Sequence, residues 1–93
     1  MKITDIQAIP LSIPLNETDP ASIEGGWTDN HVLVKVFTDE GITGYGEALA
    51  TAPMTTSAFI EEGLKPRILG ENPMHIERLW HLMYFHSYGY GTK

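Results

Sequence analysis

A chain of 93 residues provides one domain at most, and its 42% hydrophobic content supports a real but small core. Twelve acids against six bases give a net charge of -6, and the scattered Lys2, Lys35, Lys65, Arg67, Arg78 and Lys93 form no stripe, which argues against nucleic acid as a partner. The absence of cysteine excludes a disulfide framework, a thiolate metal site and a cysteine nucleophile.

No apolar run approaches the roughly 18 residues of a membrane span, and Met1-Lys2-Ile3-Thr4-Asp5 has neither the apolar core nor the cleavage site of a signal peptide. A cytoplasmic protein without membrane contact is the expectation. Charged residues make up 19%, below the roughly 25% of ordinary soluble domains, a sign that part of the surface is normally covered.

In chain order, Ile9, Leu11, Ile13 and Leu15 alternate with Pro10, Ser12 and Pro14, which predicts a strand. Its prolines cannot donate to a ladder and place it at a sheet edge or end. From Asn16 to Asn30 the alternation stops, leaving a loop of about 15 residues that contains Gly25-Gly26-Trp27; loops of that length in small domains are more often functional than idle. His31 to Thr38 resumes the alternation through Val32, Val34 and Val36. Thr38-Asp39-Glu40-Gly41 is turn chemistry, with Gly41 free to become left-handed, and a returning strand runs from Ile42 to Glu47. Gly44 and Gly46 share one face of that strand and predict a bulge or a close backbone approach.

Beyond the Ala48–Met54 connection, Thr55, Thr56 or Ser57 is the expected cap of a helix that turns Phe59, Ile60 and Leu64 inward, weakened at its end by Gly63 and Pro66. After Gly70, Asn72-Pro73 is an N-cap followed by proline. Ile76, Leu79, Trp80 and Met83 follow at helical spacing, so an amphipathic helix is expected from Pro73 to about Phe85. Three strands precede two helices, the α+β order: a three-stranded antiparallel meander followed by a small helical part.

Little here carries chemistry. Gly41-x-x-Gly44-x-Gly46 closes a hairpin and continues as strand, whereas a phosphate loop must open into a helix. His75, His81 and His86 are six and five positions apart, a spacing that does not stack two metal ligands on one helical face. Asp39-Glu40 and Glu61-Glu62 read as solubilising charge. Glu47, among Tyr45, Ala48 and Leu49, is expected to be partly buried and to need a partner. No serine has the base and elbow of a nucleophile.

Several stretches nevertheless form a familiar series. Lys2-Ile3-Thr4-Asp5-Ile6, Val32-Leu33-Val34-Lys35-Val36 and Thr38-Asp39-Glu40-Gly41-Ile42-Thr43-Gly44-Tyr45-Gly46-Glu47-Ala48 precede Leu64-Lys65-Pro66, Ile68-Leu69-Gly70, Asn72-Pro73 and Ile76-Glu77-Arg78-Leu79-Trp80. Together, over nearly the whole chain, they resemble the N-terminal capping domain of the enolase superfamily, in its mandelate racemase / muconate lactonizing enzyme branch. The resemblance implies an enolase N-terminal domain-like fold across residues 1–93. It also implies a parent enzyme that abstracts a proton α to a carboxylate and stabilises the enediolate on Mg²⁺.

In such enzymes the bases and the Mg²⁺ ligands sit on a C-terminal barrel of about 250 residues, so no catalytic or metal residue is expected in this chain. Its partners would be that barrel and a small carboxylate substrate, within a homo-oligomer. What the resemblance does transfer is the lid, matching about Asp19–Asn30 and Leu49–Met54, with Ser22, Ile23, Trp27 and Thr51 expected to face substrate. Trp27 could equally pack locally and hold the loop shut. Neither stretch carries Arg or Lys, which leans toward an apolar or hydroxylated acid over a dicarboxylate. The competing reading is a stand-alone binding or self-associating module derived from such a cap.

Overall fold

The computed structural model of the protein describes residues 1–14 and 28–87. Three strands, β1 (Ile3–Pro14), β2 (Thr28–Thr38) and β3 (Thr43–Leu49), form an antiparallel sheet in the order β1-β2-β3. They are followed by α1 (Pro53–Ala58), a π-helical stretch (Phe59–Leu64), α2 (Lys65–Ile68) and α3 (Ile76–Ser87). This is the α+β meander expected from the sequence.

β1 begins at Ile3, six residues before the alternation becomes plain. Its early ladder is irregular: the register shifts between Ile3 and Asp5, which obscures a strict period of two. β2 likewise starts at Thr28, inside the stretch assigned to loop, and pairs there with Pro14.

The prolines of β1 obey a parity. Ala8 turns its N–H away from β2 and donates it to Glu61 Oε2 at 2.9 Å. Pro10 and Pro14 share that orientation, so the donors they lack would have faced outward and β1–β2 pairing loses nothing. The N-terminal part of this edge is engaged too. Ile3 donates to the Glu71 carbonyl (2.9 Å) and accepts from Gly70 N–H (2.8 Å), while Ile6 N–H is held by the Asp5 carboxylate (2.8 Å).

One face of the sheet carries Ile6, Ala8, Val32, Val34 and Val36 toward the helices. Ile3, Ile6 and Ile68 form one buried cluster and Ala8, Val32 and Ala50 another, joined by the half-buried Val34 and Ile60; Val32 is fully enclosed. At about 25 cal/mol per Å² of apolar surface, so few buried side chains make a thin core.

At the hairpin the expected geometry is present. Gly41 has φ +78°, and the Thr38 hydroxyl donates to the Ile42 carbonyl at 2.7 Å. The helical part differs from expectation in three ways. The first helix starts at Pro53 after Ala52, with no side-chain cap, so none of Thr55, Thr56 and Ser57 caps it; proline at the first position supplies the helical φ instead. Gly63 and Pro66 do not end the helical path, which widens to π-helix and tightens again through α2. Finally, Asn72 accepts from Met74 N–H (2.9 Å) and its carbonyl from His75 N–H (3.1 Å). That makes a separate turn before α3, which begins only at Ile76.

α3 presents Leu79, Leu82 and Met83 to the core. Ile76 and Trp80, expected on the same face, are 73% and 54% exposed; Trp80 instead stacks on Tyr84 with ring centroids 4.8 Å apart. The helices cover the β1 side of the sheet more fully than the β3 side. Between Gly44 and Gly46 of β3 and Leu79 and Met83 of α3 lies an apolar hollow of about 670 Å³.

Candidate functional site

In an antiparallel meander, the end of β1, the start of β2 and the end of β3 lie at one end of the sheet. The register makes this explicit: Pro14 pairs with Thr28, and His31 pairs with both Leu11 and Leu49. The connection from Pro14 to Thr28, which holds most of one candidate lid stretch, and the other candidate stretch, 49–54, are therefore attached to the same end of the sheet, opposite the Gly41 hairpin.

Of the four residues singled out, Thr51 is exposed on the bend between β3 and α1, flanked by exposed Leu49 and Met54. Ser22, Ile23 and Trp27 lie outside the described residues. The base of the Thr51 bend is tied down by Ala50, which is buried and donates its N–H to the Asn30 carbonyl at 3.4 Å. Asn30 Oδ1 in turn accepts from the Ser12 hydroxyl at 2.9 Å, linking all three strands at this end.

Sequence reasoning missed the row Leu11, His31, Leu49, which crosses the three strands on the face away from the helices. Beside it, His31 Nδ1 lies 2.6 Å from Glu47 Oε1. Glu47 thus has the partner its sequence context called for, but it is 63% exposed and not partly buried, because it points outward. The signal was available: His31 and Glu47 are both odd-numbered on strands whose even positions are the core valines and the glycines. The result is a rim of exposed apolar side chains around one acid–imidazole pair, suited to bordering a pocket.

No group of three or more His, Asp or Glu converges among the described residues. Mg²⁺ therefore does not fit this chain's described side chains. The remaining ion pairs are structural. Lys65 Nζ meets Asp5 Oδ1 at 2.9 Å and holds the Asp5 carboxyl below its ordinary pKa, and Arg78 Nε meets Glu71 Oε1 at 2.7 Å and does the same for Glu71. No helix among the described residues is long and apolar enough to cross a membrane.

This arrangement is shared with known proteins. An N-succinyl-L-Arg/Lys racemase from Bacillus cereus is 35% identical over 99% of this chain and 27% of its own length. The crystal structure of the N-succinyl Arg/Lys racemase from Bacillus cereus superposes on 92% of the chain and 25% of the racemase with a TM-score of 0.79. A D-galactonate dehydratase family member, RspA of Halomonas elongata, is 40% identical over 63% of this chain and 15% of its own. The chain spans about a quarter of the racemase's length, and less of the dehydratase's. The Mandelate racemase / muconate lactonizing enzyme, N-terminal domain family matches residues 6–92. With a matching meander, matching helices and nearly full coverage, the chain belongs to that family of the enolase superfamily.

Proposed function

We propose that this chain is the substrate-capping and specificity domain of a larger enolase-superfamily enzyme, a racemase, cycloisomerase or acid-sugar dehydratase acting by proton abstraction α to a carboxylate. The observation that carries the reading is that the Pro14–Thr28 connection and the 49–54 stretch are attached to one end of the sheet, with Thr51, Leu49 and Met54 exposed there and the Ala50–Asn30 bond fixing the base. Loops held at one end of a rigid sheet can close over a site and exclude water while the sheet stays still. The relatives' lengths leave room for a C-terminal barrel, which would supply the base and the Mg²⁺ site. This chain would contribute closure, an apolar wall from Trp27, and selection among small carboxylates through Ser22, Ile23 and Thr51.

The test begins with the native polypeptide, sized by blotting source cells with an antibody against this domain. A band about four times the length of this chain is expected. In that longer protein, Trp27→Ala and Thr51→Ala should raise KM or change substrate preference while Mg²⁺ affinity stays as in wild type. The purified 93-residue chain should show no turnover. A native band of 93 residues, Mg²⁺-dependent turnover by the isolated chain, or lid variants without effect would each overturn the reading.

A further inference from the structure

The two edges of the sheet are treated in opposite ways. On β1, Pro10 and Pro14 occupy outward-donor positions, Glu61 holds Ala8 N–H, and the Gly70-Glu71 backbone pairs with Ile3. On β3 nothing comparable is present among the described residues. Its pairing with β2 runs in continuous register from Thr43 to Leu49, without bulge, proline or lysine.

The ladder fixes which β3 groups face out. Thr38 N–H bonds the Ile42 carbonyl and Ala50 N–H bonds the Asn30 carbonyl, so Gly44, Gly46 and Ala48 bond toward β2. The N–H and C=O of Thr43, Tyr45, Glu47 and Leu49 point away, and no described residue hydrogen-bonds to them. Tyr45 and Leu49, 69% and 81% exposed, extend the same edge as apolar surface. A regular, unguarded edge of this kind is a template for another strand.

Gly44 and Gly46 belong to the helix side of the sheet: a Cβ at either would project into the apolar hollow, where it meets nothing within 4 Å, and so leaves the open edge unobstructed.

We propose that two copies of this chain pair antiparallel along β3, making one continuous six-stranded sheet about a two-fold axis at Gly46. The register follows from charge. Pairing Tyr45 with Glu47 of the second copy, and Thr43 with its Leu49, uses all four outward residues on each side and sets a phenol hydroxyl against a carboxylate. A shift one way would oppose Glu47 to its own copy, which like charges resist, and a shift the other way leaves Leu49 without a β3 partner. In the chosen register Gly46 meets its symmetry mate at a non-hydrogen-bonded position, where strands come closest, and Gly44 faces Ala48. Closed two-fold pairing uses up the edge and stops there, so a dimer results and not a fibre.

The test is sedimentation velocity on the 93-residue chain from the micromolar to the millimolar range, with amide hydrogen exchange at both ends. A reversible monomer–dimer equilibrium is expected, with the amides of Thr43, Tyr45, Glu47 and Leu49 protected only at high concentration. Tyr45→Glu opposes two pairs of like charges and should weaken the dimer about tenfold or more. Adding Glu47→Lys to that variant should restore it, with circular dichroism confirming the fold throughout. A monomer over the whole range overturns the proposal. So does a dimer whose four amides exchange as in the monomer, which would place the contact on the apolar hollow instead.

Discussion

Ser57 is the buried polar side chain with no hydrogen-bond partner among the described residues, held in α1 against β1 and β2. A buried hydroxyl left unpaired costs about 1–3 kcal/mol in desolvation, so Ser57→Ala should be neutral or raise stability by up to about 1 kcal/mol in urea unfolding. Val32 is the opposite case, enclosed on all sides by apolar neighbours. Val32→Ala removes two methyl groups and should cost roughly 2 kcal/mol through lost transfer energy and an unfilled cavity. Glu61 is exposed, yet its Oε2 holds an edge amide of β1. Read along the sequence it was one of two adjacent acids on a helix flank, and nothing local distinguished it. Its role depends on a partner 53 positions away, which pattern and propensity do not encode.

The helical path from Pro53 to Ile68 turns on Gly63. A Cβ there would stand 2.9 Å from Phe59 Cε1, within the π-helical stretch where the backbone is already wide. Alanine normally gains about 1 kcal/mol over glycine inside a helix. Gly63→Ala should forfeit that gain, and should recover it in the Phe59→Leu background, as thermal melts of the four combinations would show. The type and order of elements were legible because each strand and helix carries its own period. Boundaries were less so: Asn72-Pro73 resembles a helix start, but its side chain satisfies Met74 in a turn and the helix waits for Ile76. α3 was legible as a helix while its inner face was not. Trp80 fits the period as well as Leu79 does, and only the narrow sheet beneath decides that Leu79, Leu82 and Met83 fill the available contact.

Across the molecule, the clamps Lys65–Asp5 and Arg78–Glu71 join helices to the strand and loop segments that the core alone holds weakly. Both carboxyls titrate below their ordinary values because a cation binds the ionised form. Their contribution is therefore fully present above about pH 5 and is lost as pH falls through their depressed folded-state pKa values. A melting temperature level from pH 5 to 7 and falling below about pH 4 is expected, with Asp5→Asn flattening part of the fall. The site was legible only in outline. The candidate lid stretches come from the resemblance alone, and the attachment of the 14–28 connection and the 49–54 stretch to one end of the sheet is a property of the meander. The seal on β1 has a further consequence, for synthesis. Gly70 and Glu71, which bond Ile3, and Glu61, which bonds Ala8, leave the ribosome long after the strand they protect. At about 5–20 residues per second the three strands can zip together for about one to four seconds while their first edge is bare. A nascent chain stalled before residue 61 would carry a bare β1 edge beside the β3 edge that the described residues leave open, and would be the form most in need of a chaperone.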